Sequence, residues 1–255
     1  MNVLSILLLI FVLTMIMIIG KNSFYVLSGL FINFVLFLLL IYLLNLGFSV
    51  YLMTLLYILA NSLVTLAYVN GWNLKTKLAF YSMLLFLFIL GVFFIPLIQE
   101  IALYGFSSHE LEELSVMDLN LPIHFSELSV SVLFIGVSGA LVDGSMSIAS
   151  ATTEIYARKK KLLTFSQLFE SSMTVVKNIL NSTINTLLFA FISGSLTLIF
   201  WYQDLAISWS MIVNSKAFVA ELVIILLSGI GVAFILPFTS LITCFYLLKS
   251  KKSFL

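Results

Sequence analysis

Residues 3–19 read VLSILLLIFVLTMIMII, without one charged side chain, and runs of this kind recur along the whole chain. The hydrocarbon of a bilayer is about 30 Å thick, and a helix crosses it in about 20 residues. Backbone N–H and C=O groups inside hydrocarbon must pair with one another, which leaves helices and closed barrels as the only spanning structures. A barrel would show alternating segments of roughly ten residues, and these runs do not alternate. The expected fold is therefore all-α, a polytopic integral membrane helix bundle.

About seven transmembrane helices are expected, at 3–19, 25–45, 48–69, 78–103, 129–155, 179–201 and 218–247, forming a single transmembrane domain over residues 1–255. Residues 2–19 have no basic segment before them, and IIGKNS is a poor cleavage site, so the first run reads as a retained span and not a signal peptide. Composition agrees, with 62% hydrophobic and only 9% charged residues. That is too little charge to cover a water-soluble domain. Cys244 is the single cysteine, which excludes an internal disulfide and a cysteine metal cluster. No basic patch interleaved with aromatics is present, so nucleic acid is not an expected partner.

Charge orients the bundle. Lys21, Lys75, Lys77, Arg158, Lys159, Lys160, Lys161, Lys249, Lys251 and Lys252 fall on one side of the seven spans, and Glu110, Glu112, Glu113, Asp118, Glu127 and Asp204 on the other. The basic side is the cytoplasmic one. The N-terminus is then outside and the C-terminus cytoplasmic. Residues 164–177, TFSQLFESSMTVVK, start with a capping-box pattern at Thr164 and Gln167 and repeat apolar residues at helical spacing. They read either as an amphipathic helix on the cytoplasmic face or as an extension of the sixth span.

Polar residues inside the spans are the candidates for function. Asp143, Ser147, Ser150 and Glu154 recur at i, i+4, i+7 and i+11, on one helix face, among Gly136, Gly139, Ala140, Gly144 and Ala151. A carboxylate near mid-bilayer costs about 2.5–3.5 kcal/mol on insertion scales, so it usually faces a bundle interior or a water-filled cavity. Asp143 reads as a proton- or cation-responsive group or, alternatively, as a structural group locking helices together. Glu154 is placed to pair with Arg158. In the sixth span Asn178, Asn181 and Asn185 share a face, with Thr186 beside them. The two lines suggest a polar pathway between spans five, six and seven. In the seventh span Pro237 removes a backbone hydrogen bond and is expected to kink or break the helix, with Thr239 and Ser240 replacing part of what is lost.

GALVDGSMSIASATTEIY, LFESSMTVVKNILNSTINTLLFAFISGSL and GIGVAFILPFTSLI together resemble the YibE/F-like family of bacterial membrane proteins. The resemblance covers roughly residues 130–245. The chain's length makes it similar to the shorter, YibF-type members, and the resemblance implies a hetero-oligomer with a larger YibE-type relative. The family pattern has a basic–acidic pair opening the sixth span, where this chain has Lys177 and Asn178. No activity follows from the resemblance.

Two functions remain open at this point, a transporter or permease component and a non-transporting subunit that scaffolds a related partner. An enzyme is not expected. Only one aspartate lies within a span, His109 and His124 both lie in the outer loop, and no HExxH motif occurs. No retinal-type lysine lies mid-span, which argues against a seven-helix receptor. The acidic loop at 104–127 holds oxygen and nitrogen donors without a recognised ligand spacing, so no metal or other cofactor is expected.

Overall fold

The computed structural model describes residues 3–101, 125–158, 164–204 and 208–252. Among them every regular element is a helix. They are α1 (Val3–Ile19), α2 (Ser23–Asn45), α3 (Val50–Leu63), α4 (Leu74–Ile101), α5 (Phe125–Arg158), α6 (Phe165–Asp204), the short α7 (Trp209–Val213) and α8 (Lys216–Lys252). A π-helical stretch, Val64–Val69, continues α3. The acidic-loop residues His109, Glu110, Glu112, Glu113, Asp118 and His124 lie outside the described residues, as do Lys159, Lys160 and Lys161.

Among the described residues, six helical stretches are long and apolar enough to cross a membrane. The first, Val3–Asn45, is 43 residues long and holds both of the first two expected spans. Within it a 3₁₀ turn, Gly20–Asn22, separates α1 from α2, and Gly20 takes a φ of 66°. The other five stretches contain the cores of the remaining expected spans.

Local chemistry fixes the helix ends. Gly47 and Gly71 have φ values of 82° and 76°, a left-handed conformation that a Cβ disfavours, and they sit in the α2–α3 and α3–α4 connections. At the start of α4 the Asn73 amide donates to Thr76 Oγ1 (2.9 Å), while the Thr76 amide donates to Asn73 Oδ1 (3.2 Å). The capping box expected before α6 is formed in the same reciprocal way. The Thr164 amide donates to Gln167 Oε1 (3.1 Å) and the Gln167 amide to Thr164 Oγ1 (3.4 Å). The helix it starts runs to Asp204 without a break, so the amphipathic segment at 164–177 is the first part of α6 and not a separate helix.

The core lies where α4, α5 and α8 meet. Met83, Leu141, Ile148, Val232, Ile235 and Leu236 have no measurable exposure. Glycines let α5 and α8 come close, as small residues do between membrane helices. A Cβ on Gly231 would stand 3.2 Å from Val137 Cγ1, and one on Gly144 would stand 3.0 Å from Leu236 Cδ2. α2 and α3 join this core from one side, where the Ser28 and Tyr68 hydroxyls are 3.0 Å apart. α1 has no buried residue.

α8 passes through Pro237 as one continuous helix. α8 therefore does not break at Pro237, which leaves one hydrogen bond to the carbonyl four residues back unmade. Packing on both sides of it keeps the helix intact. Ile235 and Leu236 are fully buried just before it, and the Phe238 ring lies 5.6 Å from that of Phe86 just after.

Candidate functional site

Three helices converge on a node of hydroxyls. The hydroxyls of Thr152 on α5 and Ser172 on α6 are 2.7 Å apart, and Ser240 on α8 donates to Ser172 Oγ at 2.7 Å. All three residues are buried. Below the node Leu168 packs against Cys244 and Leu247. Ser240 thus joins α8 to α6, where the sequence suggested that it would repair the backbone at Pro237. Thr239 Oγ1 and Thr243 Oγ1 are buried without a hydrogen-bond partner among the described residues. The node had no signal in the sequence, since its members lie 20 and 68 positions apart and nothing in their spacing pairs them.

The node sets the register of α5 against α6. At about 1.5 Å rise per residue, Asp143 lies about 14 Å along α5 from Thr152. Asn181 lies the same distance, about 14 Å, along α6 from Ser172, because the two helices run in opposite directions. Ser147 is about 8 Å from the node and Asn178 about 9 Å. The two polar lines expected from spacing therefore stand at matching depths.

Neither line enters the core. Asp143, Ser147 and Glu154 are exposed and Ser150 is half-buried, while Leu141, Ser145, Ile148 and Thr152 fill the opposite, buried face of α5. Gly136 and Gly139 are exposed on the same side as Asp143. On α6, Asn178, Asn181, Asn185 and Thr186 are all exposed, and the buried face is that of Leu168, Ser172 and Val176. Asp143 has no hydrogen-bond or ion-pair partner among the described residues, and neither do the side chains of Asn178, Asn181 and Asn185. Thr186 Oγ1 donates to its own helix, to the Ser182 carbonyl at 3.0 Å.

Glu154 is different from its neighbours. Arg158 Nη2 and Nε donate to Glu154 Oε1 at 2.6 and 3.1 Å, within one exposed helical turn. This is the pairing expected from the sequence. An exposed pair of this spacing contributes only about 0.3–0.5 kcal/mol, so it marks the membrane surface more than it stabilises the fold.

A carboxyl group and three carboxamides are thus presented outward on two helices long and apolar enough to cross a membrane. Each unsatisfied polar group in hydrocarbon costs several kcal/mol. The surface fits a second protein chain or a water-filled groove, and it does not fit lipid tails. Gly139, exposed on the same side, has open space where a Cβ would stand and leaves room for a helix to approach closely.

A family model described as YibE/F-like protein matches residues 7–249. Searches of curated proteins and of solved structures returned no match to the chain.

Proposed function

The chain belongs to the YibE/F-like protein family, and on that premise we propose that it is one subunit of a membrane transport assembly. It is a multi-pass membrane protein by its apolar helices. Its polar face on α5 and α6 would be completed by another subunit, for which the larger YibE-type relative is the proposed partner. Between them would run a polar pathway, backed by α8, with Asp143 as the group that responds to a proton or cation. The orientation proposed is N-terminus outside and C-terminus cytoplasmic, in the bacterial cytoplasmic membrane, as the positive-inside charges favour.

One observation carries this reading. Asp143 stands outward at mid-span without a partner among the described residues, level with the asparagines of α6. An aspartate used only to lock this bundle would point into it and bond there. The scaffold reading draws on the exposed Gly139, which suits a helix interface with or without transport.

Reconstitution separates the two. The chain is placed in liposomes loaded with a pH dye, alone and with its YibE-type relative, and ion gradients are imposed. A flux that needs both chains and disappears in Asp143→Asn supports the pathway. Stable co-purification of the two chains with no flux under any gradient selects the scaffold.

A further inference from the structure

A cavity of about 530 Å³ lies between α3, α4 and α5, away from the polar face. Its volume is within the range of about 300–1,000 Å³ typical of small-molecule sites. Ile58 and Val130 form a floor that is 2% exposed. Leu55, Phe88 and Val92 form a lip that is 50%, 75% and 59% exposed. The cavity therefore opens sideways, through the flank of the bundle, into the bilayer.

Its length and polarity identify an occupant. Along α4 it runs from Leu84 to Ile95, about 16 Å of helix. That equals one leaflet of hydrocarbon, about 15 Å. The lining is apolar except toward one end, where the Thr54 and Ser131 hydroxyls lie 2.7 Å apart and Tyr51 stands beyond them. These residues lie within two turns of the helix starts at Val50 and Phe125, so this end is the one nearer the membrane surface. A chain of methylene groups would fill the deep part, and an ester group would meet the hydroxyls.

We propose that this cavity is a binding site for one acyl chain of a membrane lipid, drawn from the leaflet on the side of the α2–α3 turn. Gly91 supports the assignment and gives the means to test it. It lines the cavity in mid-helix, and a Cβ there would meet no atom within 4 Å. A larger side chain at this position enters the space that the acyl chain would use. Gly91→Phe fills the cavity, Gly91→Ala leaves it nearly unchanged, and Leu55→Trp fills it from the facing wall.

The test is native mass spectrometry of the full chain after extraction from phosphatidylethanolamine–phosphatidylglycerol vesicles and a delipidating wash. The expected result is one diacyl lipid retained per chain by the wild type and by Gly91→Ala, with retention falling at least five-fold in Gly91→Phe and Leu55→Trp. Thermal unfolding of each variant shows which are folded, and either filled variant suffices alone. Two lipid-retention results overturn the proposal. One is a wild type stripped of lipid as completely as the folded filled variant, and the other is equal retention in both. A retained mass that matches a non-lipid compound overturns it as well.

Discussion

Replacing Asp143 with leucine separates an outward-facing aspartate from an interior one. At the centre of a membrane helix aspartate costs about 2.5–3.5 kcal/mol and leucine gains about 0.3–0.6 kcal/mol on insertion scales. The swap should favour insertion of α5 by about 3–4 kcal/mol, more than a hundred-fold at about 1.4 kcal/mol per factor of ten. Folding of the inserted helices is a separate step. Asp143 is exposed and makes no bond among the described residues, so it has little to lose when the helices separate. The expected change in unfolding free energy of the isolated chain is within about 0.5 kcal/mol, as for other surface positions. Ile148, fully buried on the opposite face of α5, supplies the contrast. Ile148→Ala should cost about 2–5 kcal/mol. Insertion is read by glycosylation mapping of an α5 segment, and folding by denaturant titration in bicelles. A loss above about 2 kcal/mol for Asp143→Leu in the isolated chain would refute the reasoning, because only a packed or hydrogen-bonded aspartate is that costly to remove.

Other perturbations test the parts that present this face. Gly231→Leu at the α5–α8 seam should destabilise by at least about 1–3 kcal/mol through overpacking, while Gly229→Leu, whose Cβ meets nothing within 4 Å, should be neutral or stabilising in the same titration. Ser172→Ala should cost about 1–2 kcal/mol. A double-mutant cycle with Ser240→Ala should return a coupling of at least about 0.5 kcal/mol, and additive effects would remove the node from the account. Thr164→Ala should weaken the start of α6 by about 0.5–2 kcal/mol, read as faster amide exchange over residues 165–170.

The all-helical class was legible because apolar runs of crossing length have one structural solution in a bilayer. The cap at Thr164 was legible because a capping box is local. Helix phase was not. In water the buried face of a helix is the apolar one, but in a membrane the core and the lipid are both apolar. Leu141, fully buried, and Phe189, 69% exposed, therefore look alike in sequence. Spacing could place Asp143 with Ser147 and Ser150 without showing that Asp143 and Ser147 are exposed and that the buried face of α5 is that of Leu141, Ser145 and Ile148. The same ambiguity hid the lateral cavity, whose lining reads as ordinary span. The break allowed at Pro237 did not occur because propensity describes an isolated helix, and packing at Ile235 and Leu236 keeps α8 continuous through it.

The central claim is that the Asp143 face is covered by protein in the working assembly. Photocrosslinking in native membranes tests it most directly, with a benzophenone side chain placed at Ser147 and, as a control, at Phe234. Phe234 is exposed on α8 and belongs to neither polar line. The account predicts a protein adduct at Ser147, identified by mass as the YibE-type relative, and only lipid adducts at Phe234. Lipid adducts alone at both positions would contradict it, because the aspartate face would then be left to the bilayer.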